Sequence, residues 1–231
     1  MRAEKIDEDL AEVIGVMIGD GCISQYKPKS TGKTRLDLLI TGSSETDVEN
    51  YREFIQSTMM RSFGKPGRLY ERKDDNTIRY WMTNRKIVEW FVQFGLTVGP
   101  KIDRVEIPNQ ILQDEKLSIA CLRGIFNTDG CVYRQFSKQY KGQSRHYSNY
   151  AVVEFKIRSE KLIGQIKEIL NSLGIKTTVI SKNKLKASVV RITSQPNVAK
   201  FMETVQPRKY HVERYKSIAI GKENLEETRG P

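Results

Sequence analysis

Two aspartates raise the first chemical question. Asp20 and Asp129 each close an apolar stretch that contains a glycine, and each is followed by Gly-Cys. The first phrase, "VIGVMIGDGCIS", runs from Val13 to Ser24, and the second, "LRGIFNTDGCVY", from Leu122 to Tyr133. Gly15, Asp20 and Cys22 recur at a constant offset as Gly124, Asp129 and Cys131. If the apolar stretches are helices, each aspartate stands at a C-terminal end, with Gly21 and Gly130 as stops. A carboxylate there is disfavoured by about 0.3–1 kcal/mol, because the last-turn carbonyls carry partial negative charge. Setting two such ends side by side adds repulsion between the acids. A divalent cation reverses the sign of each of these effects, and Mg2+ takes carboxylate and carbonyl oxygens. The expected ligands are Asp20 and Asp129, joined by the carbonyls of Gly19 and Thr128 one residue upstream. Two or three ions meeting at such a dyad make a centre for phosphodiester hydrolysis, where they activate water and stabilise the leaving oxygen. A lone Asp-Gly is a common turn pair. Two of them, each ending a glycine-containing apolar helix and opening a strand, are far more specific.

The elements that must position these acids come in two matching sets. Residues 6–21 read as a helix, with Ile6, Leu10, Val13, Ile14, Met17 and Ile18 at helical spacing. Two strands follow, 22–30 and 35–43, then a helix over 44–63 with Ser44 as its N-cap, a hairpin over 67–84, and a short helix ending at Gly95. The second set repeats the order: a helix from 114 to 129, strands 131–140 and 150–159, a helix ending at Gly174, a hairpin over 177–194, and a last helix over 195–205. The predicted domains are residues 1–99, a linker over 100–113 with Pro100 and Pro108, residues 114–212, and a tail over 213–231 whose end is polar and loose. The repeat implies a pseudo-twofold arrangement within one chain. Gly15 and Gly19 share one helix face, Gly124 and Thr128 take the same relative places, and small residues so spaced let two helix backbones approach. The predicted helix–helix contact is therefore Gly15, Gly19, Gly124 and Thr128.

The formal net charge is +11, with a sequence pI of about 9.5, which points to a polyanionic partner such as nucleic acid. Alternation along the predicted strands places basic and aromatic residues on one face of each sheet. In the first half these are Arg35, Arg68, Tyr70, Arg72, Arg79 and Trp81. In the second they are Arg134, Lys138, Lys156, Arg158, Lys182 and Arg191. A two-stranded ribbon fits the DNA major groove. No run of about 18 apolar residues is present, so no membrane-spanning helix is expected, and the charged start "MRAEKIDEDL" is unlike a signal peptide. Three cysteines without CxxC spacing and two histidines argue against zinc and for a reducing compartment. Cys22 and Cys131 are expected as small buried residues opening each sheet.

The segments "VIGVMIGDG" and "LRGIFNTDG" resemble the two LAGLIDADG motifs of single-chain homing endonucleases, and the resemblance covers about residues 6–212. The sixth motif position, often acidic in that family, holds Ile18 and Asn127. The resemblance implies an α+β fold of two pseudo-symmetric αββαββα halves packed through their first helices, each with an antiparallel DNA-binding sheet. It implies a monomer that makes a staggered double-strand break in a long asymmetric DNA target, with Mg2+ held by Asp20 and Asp129. It also places a lysine after the third helix of each half, for which Lys101 and Lys209 are the nearest matches. A glutamine often ends the second strand in the family; Gly42 and Ser159 stand in that region here, so that part does not carry over. An intron-encoded endonuclease of a prokaryotic cytoplasm or an organelle is the expectation. The alternative is an RNA maturase bound to its host intron RNA; a DNA-binding regulator should have lost the acids. A start at Met1 and an end without a His-Asn pair argue against an intein.

Overall fold

The computed structural model describes residues 5–226 apart from 31, 73, 102, 136–138, 141–142, 145–149 and 183–186; at 139–140, 143–144, 181–182 and 219–226 it describes the backbone alone. The first half runs α1 (Glu8–Gly19), β1 (Gly21–Tyr26), β2 (Arg35–Ser43), α2 (Val48–Asn50), a π-helical turn (Tyr51–Ile55), α3 (Gln56–Phe63), β3 (Arg68–Arg72), β4 (Thr77–Met82) and α4 (Arg85–Gln93). A short α5 (Asn109–Leu112) lies in the expected linker. The second half runs α6 (Glu115–Asp129), β5 (Gly130–Gln135), a two-stranded β6–β7 (Gln139–Tyr140, Gln143–Ser144), β8 (Tyr150–Ile157), α7 (Glu160–Ser172), β9 (Thr178–Lys182), β10 (Ala187–Ile192), α8 (Gln195–Val205) and α9 (Lys209–Glu226).

The helix starts follow local chemistry. Asp7, Asp114 and Ser159 each accept a hydrogen bond from a backbone N–H three residues on, which satisfies one of the otherwise orphaned first-turn donors. One expectation about the helices fails. Ser44 is not an N-cap: the helix begins at Val48, and the Asp47 carboxylate instead accepts from the Ser43 N–H at 2.8 Å. Most of the stretch expected as a tail carries α9, which packs along β5 and β8 and buries Ile218, and its end, 227–231, lies outside the described residues.

The sheets have equivalent orders, β1-β2-β4-β3 and β5-β8-β10-β9, antiparallel throughout. Each turns an apolar face to its helices, with Ile23, Leu38, Ile40, Ile78 and Tyr80 buried in the first and Val132, Val153, Phe155, Val190 and Ile192 in the second. The rings of Phe126, Phe155 and Phe201 meet edge to face at 4.9–5.9 Å beneath the second sheet. The result is an α+β fold of two like halves.

The halves join through α1 and α6. A Cβ on Gly15 would strike the Cys121 carbonyl and lie 3.0 Å from Gly124 Cα; one on Gly124 would strike the Glu12 carbonyl. A Cβ on Gly19 would run into the Thr128 hydroxyl. All four residues expected at the contact are there. A buried polar network lies beside them. Arg123 donates to Glu12 Oε2 at 2.9 Å and to the Val205 carbonyl at 2.6 Å, and Asn127 donates to Glu12 Oε1 at 3.4 Å. Burial pushes the Glu12 carboxyl above its usual range, and the hydrogen bond and charge of Arg123 oppose that.

Candidate active site

Both acids stand where the repeat places them. Asp20 caps α1 and Asp129 is the last residue of α6, and neither helix has a basic residue in its last turn. The packing brings the two ends together: a Cβ on Gly19 would lie 3.3 Å from Asp129 Oδ2. Gly130 ends α6 by shape rather than by a left-handed turn. Its φ is −97°, and a Cβ there would overlap the Phe126 ring.

The electrostatics of this corner are unfavourable to bare carboxylates. Desolvation first, then the charge of Asp129, pushes the Asp20 carboxyl up to about 6. Asp129 is raised by desolvation, against the pull of Lys101. The folded value of Asp20 thus lies above its unfolded value of about 3.9. Such a group favours folding at low pH, and that contribution is lost as pH rises from about 4 to about 6. In metal-free buffer, Asp20→Asn should therefore raise the melting temperature above pH 6 by about 2–4 °C, the equivalent of about 1 kcal/mol after allowance for solvent screening, with the gain fading toward pH 4. A melt that is unchanged or lower at pH 7 would contradict this.

Lys101 is the cation whose charge acts on both acids. Its Nζ donates to the carbonyls of Met17 at 3.0 Å, Ile18 at 2.8 Å and Gly19. It caps the exposed carbonyls of α1 with positive charge, which is where the helix dipole favours it. Burial lowers its pKa, while Asp129, Asp20 and Cys22 pull it back up. Gly19, expected to offer its carbonyl to a metal, gives it to Lys101. The Thr128 hydroxyl donates back to the Ile125 carbonyl at 2.9 Å.

Lys209 does not join the site in the way Lys101 does. Its side chain is 85% exposed and its Nζ lies 3.9 Å from Glu213. The cation turned inward is its neighbour, Arg208, 14% exposed, which pairs with Asp47 at 2.8 Å and exerts its charge on Asp20. The Arg208 N–H donates to Asn127 Oδ1 at 2.9 Å, so the sixth position of the second motif anchors this arginine. Nε and Nη2 of Arg208 are buried without a hydrogen-bond partner. A cavity of about 480 Å3 is lined by Asp20, Asp47, Asn127, Arg208 and Lys209 among others, so Lys209 borders the same space as Asp20 without pairing inward.

Asp47, Tyr51 and Arg208 were not singled out from sequence. The signal was Gly42: a Cβ there would lie 2.5 Å from Asp47 Oδ2 and 2.6 Å from the Tyr51 hydroxyl, so these side chains occupy the space against the inner face of β2 near its end. Burial raises the Tyr51 hydroxyl well above its usual range. By register the equivalent of Gly42 is Ile157, and Ser159 two residues on is structural: its hydroxyl donates to the Val105 carbonyl at 2.8 Å and caps α7.

The open sheet faces carry most of the expected basic set. Arg35, Arg68, Lys156 and Arg158 are exposed, as are Tyr70 and Trp81, at 63% and 41%. Arg72 pairs with Asp75 at 3.2 Å, and Arg79 lies across from Tyr70. Arg134 departs. It has the parity of Val132, faces the helices, and approaches the Ser217 carbonyl of α9 at 3.5 Å. Lys138 lies outside the described residues, and Lys182 is described by its backbone alone. Cys22 and Cys131 are exposed rather than buried, because Ile23 and Val132 take the inward positions.

A hard divalent cation fits this corner by chemistry. Two crowded carboxylates stand beside helix-end carbonyls, all oxygen donors. Among the described residues no group of three or more His, Cys, Asp or Glu could hold a metal.

A family model for a LAGLIDADG-like domain matches residues 116–206, the half that holds Asp129. The chain has the LAGLIDADG fold. The homing endonuclease I-DmoI in complex with DNA and Mn superposes with a TM-score of 0.62 at 17% identity, covering 86% of this chain and 96% of that one. I-SmaMI bound to an uncleaved DNA target with calcium ions gives 0.63 at 11% identity, covering 96% and 93%. By sequence, 78% of the chain is 24% identical to the ribonucleoside-diphosphate reductase NrdEB subunit alpha of Bacillus subtilis (strain 168), and equally to that of Bacillus phage SPbeta. The chain spans 16% of the length of those relatives. The LAGLIDADG fold accounts for the repeat read from sequence: each motif is one interface helix ending in one acid.

Proposed function

We propose that this chain is a site-specific, Mg2+-dependent endonuclease that makes a staggered double-strand break in a long asymmetric DNA target. The observation that carries the reading is the meeting of Asp20 and Asp129 at adjoining helix ends between two sheets with basic open faces. The structural relatives solved with DNA and with Mn or calcium ions support it. Asp20 and Asp129 would hold the metal, which supplies Lewis-acid stabilisation of charge on the phosphate. Lys101 holds positive charge beside both acids, and Arg208, oriented by Asp47 and Asn127, holds it on the side of Asp20. The open faces of both sheets bind the duplex. The protein acts as a monomer, since both halves of the site are in one chain. An intron-encoded element is the setting we favour; in the reductase subunits the similar segment is instead a small part of the polypeptide itself.

The test is to incubate the protein with Mg2+ and a duplex library of candidate insertion sites, then sequence the ends. The expected result is one enriched site cut on both strands with staggered ends, and no product in EDTA. Affinity should fall linearly in log–log form with salt as neutralised phosphates release counterions. Absence of cutting with Mg2+ or Mn2+, together with tight binding of an intron RNA, would replace this reading with the maturase.

A further inference from the structure

Two residues beyond each motif aspartate, a row of side chains crosses the open face of each sheet, and the two rows differ in chemistry. In the first half the register places Cys22 opposite Leu39, Leu39 opposite Trp81, and Trp81 opposite Arg68. In the second it places Cys131 opposite Glu154, Glu154 opposite Arg191, and Arg191 opposite Thr178. Cys22 and Cys131 are equivalent, and the strand orders match. Glu154 therefore stands where Leu39 does, and Arg191 where Trp81 does.

A carboxylate in the middle of a face that meets phosphates is repulsive unless it has another task. Glu154 has partners on both sides. Its Oε2 accepts from Arg191 Nε at 2.6 Å and from the Tyr133 hydroxyl at 2.9 Å. Its side chain is 13% exposed, and that of Arg191 is 28% exposed. The ion pair is made through Nε, which does not consume the N–H groups at the end of the guanidinium, on its two terminal nitrogens. A phosphate contact tolerates a mobile cation. A fixed, planar fork in a groove instead matches the O6 and N7 acceptors of guanine, which take two parallel hydrogen bonds. The equivalent pair in the first half, half-buried Leu39 and exposed Trp81, has no such fork.

We propose that Arg191, oriented by Glu154, specifies a guanine in the half-site covered by the second sheet. Arg191 is the reading residue and Glu154 a positioning residue. The inference rests on the endonuclease reading above and deepens it.

The experiment is selection of wild-type protein, Arg191→Ala, Arg191→Lys and Glu154→Ala from one randomised duplex library with Mg2+, scored by sequencing, with a thermal melt of each variant. Wild type should fix guanine at one position of one half-site. Arg191→Ala should weaken that preference by about 5- to 150-fold and leave the other positions as they were. Arg191→Lys keeps the charge without the fork, so it should keep overall affinity and lose the same guanine. Glu154→Ala should relax that position and no other. An enriched site whose base profile is unchanged in Arg191→Ala overturns this inference alone. So does a folded Arg191→Lys protein that retains the guanine or loses preference everywhere. A wild-type protein that enriches no sequence overturns the endonuclease reading and this inference together.

Discussion

On the proposed reading, Asp20→Asn or Asp129→Asn should abolish double-strand cleavage and leave DNA binding in place. Each substitution keeps the size of the side chain and removes one of the two formal negative charges that a divalent cation needs at this corner. Metal stabilisation of transition-state charge amounts to several kcal/mol. At about 1.4 kcal/mol per factor of ten, its loss lowers the rate about 10^3-fold or more. Binding should survive because the proposed duplex contacts are made by the open sheet faces, where Arg68 and Lys156 are exposed and keep their charge in both variants. Both variants should also fold. The acids are raised above their usual range, so their charge opposes the folded state in the absence of metal. The measurement is single-turnover cleavage of the enriched duplex beside a gel-shift titration in calcium. Double-strand cutting at the parent rate by either variant would show that the metal is not held by these acids.

The second large effect is on folding. Gly124→Ala should lower stability by about 2–3 kcal/mol or more, a fall of about 4–12 °C in melting temperature. Alanine is the better helix former by about 1 kcal/mol, so propensity alone predicts the opposite sign. The cause is space: the new methyl group would strike the Glu12 carbonyl and lie 2.8 Å from the Val16 nitrogen, and backbone cannot rotate away as a side chain can. Separation of α1 and α6 would also pull Asp20 from Asp129. Gly164 supplies the control. It lies within α7 with nothing within 4 Å of a built Cβ, so Gly164→Ala should raise stability by about 0.5–1 kcal/mol. Equal effects of the two substitutions, read by thermal or urea unfolding, would remove the close-packing argument.

Which parts of the molecule could be read in advance follows from how far apart the interacting residues lie along the chain. The C-terminal ends of α1 and α6 were legible because their signals are local: a helical run of apolar residues, a glycine and an aspartate followed by glycine. The alternation of Ile78, Tyr80 and Met82 against Arg79 and Trp81 was legible for the same reason. Arg134 was misplaced because Phe136 and Lys138 share its parity and obscured which face was inward, whereas Val132 settles it in the fold.

Sequence by itself determined the two acids, their unfavourable helix ends, the glycines that let those ends meet, and the repeated order of elements. Each of these is set by residues within a few turns of one another, or by comparison of one half with the other. Only the tertiary structure chose Arg208 over Lys209, filled the space beyond Gly42 with Asp47 and Tyr51, and joined Glu154 to Arg191. Arg208 meets a partner 161 positions away and Glu154 meets Arg191 across 37. Such pairs are specified by strand order and helix packing, which place side chains in space without leaving a periodic trace along the chain.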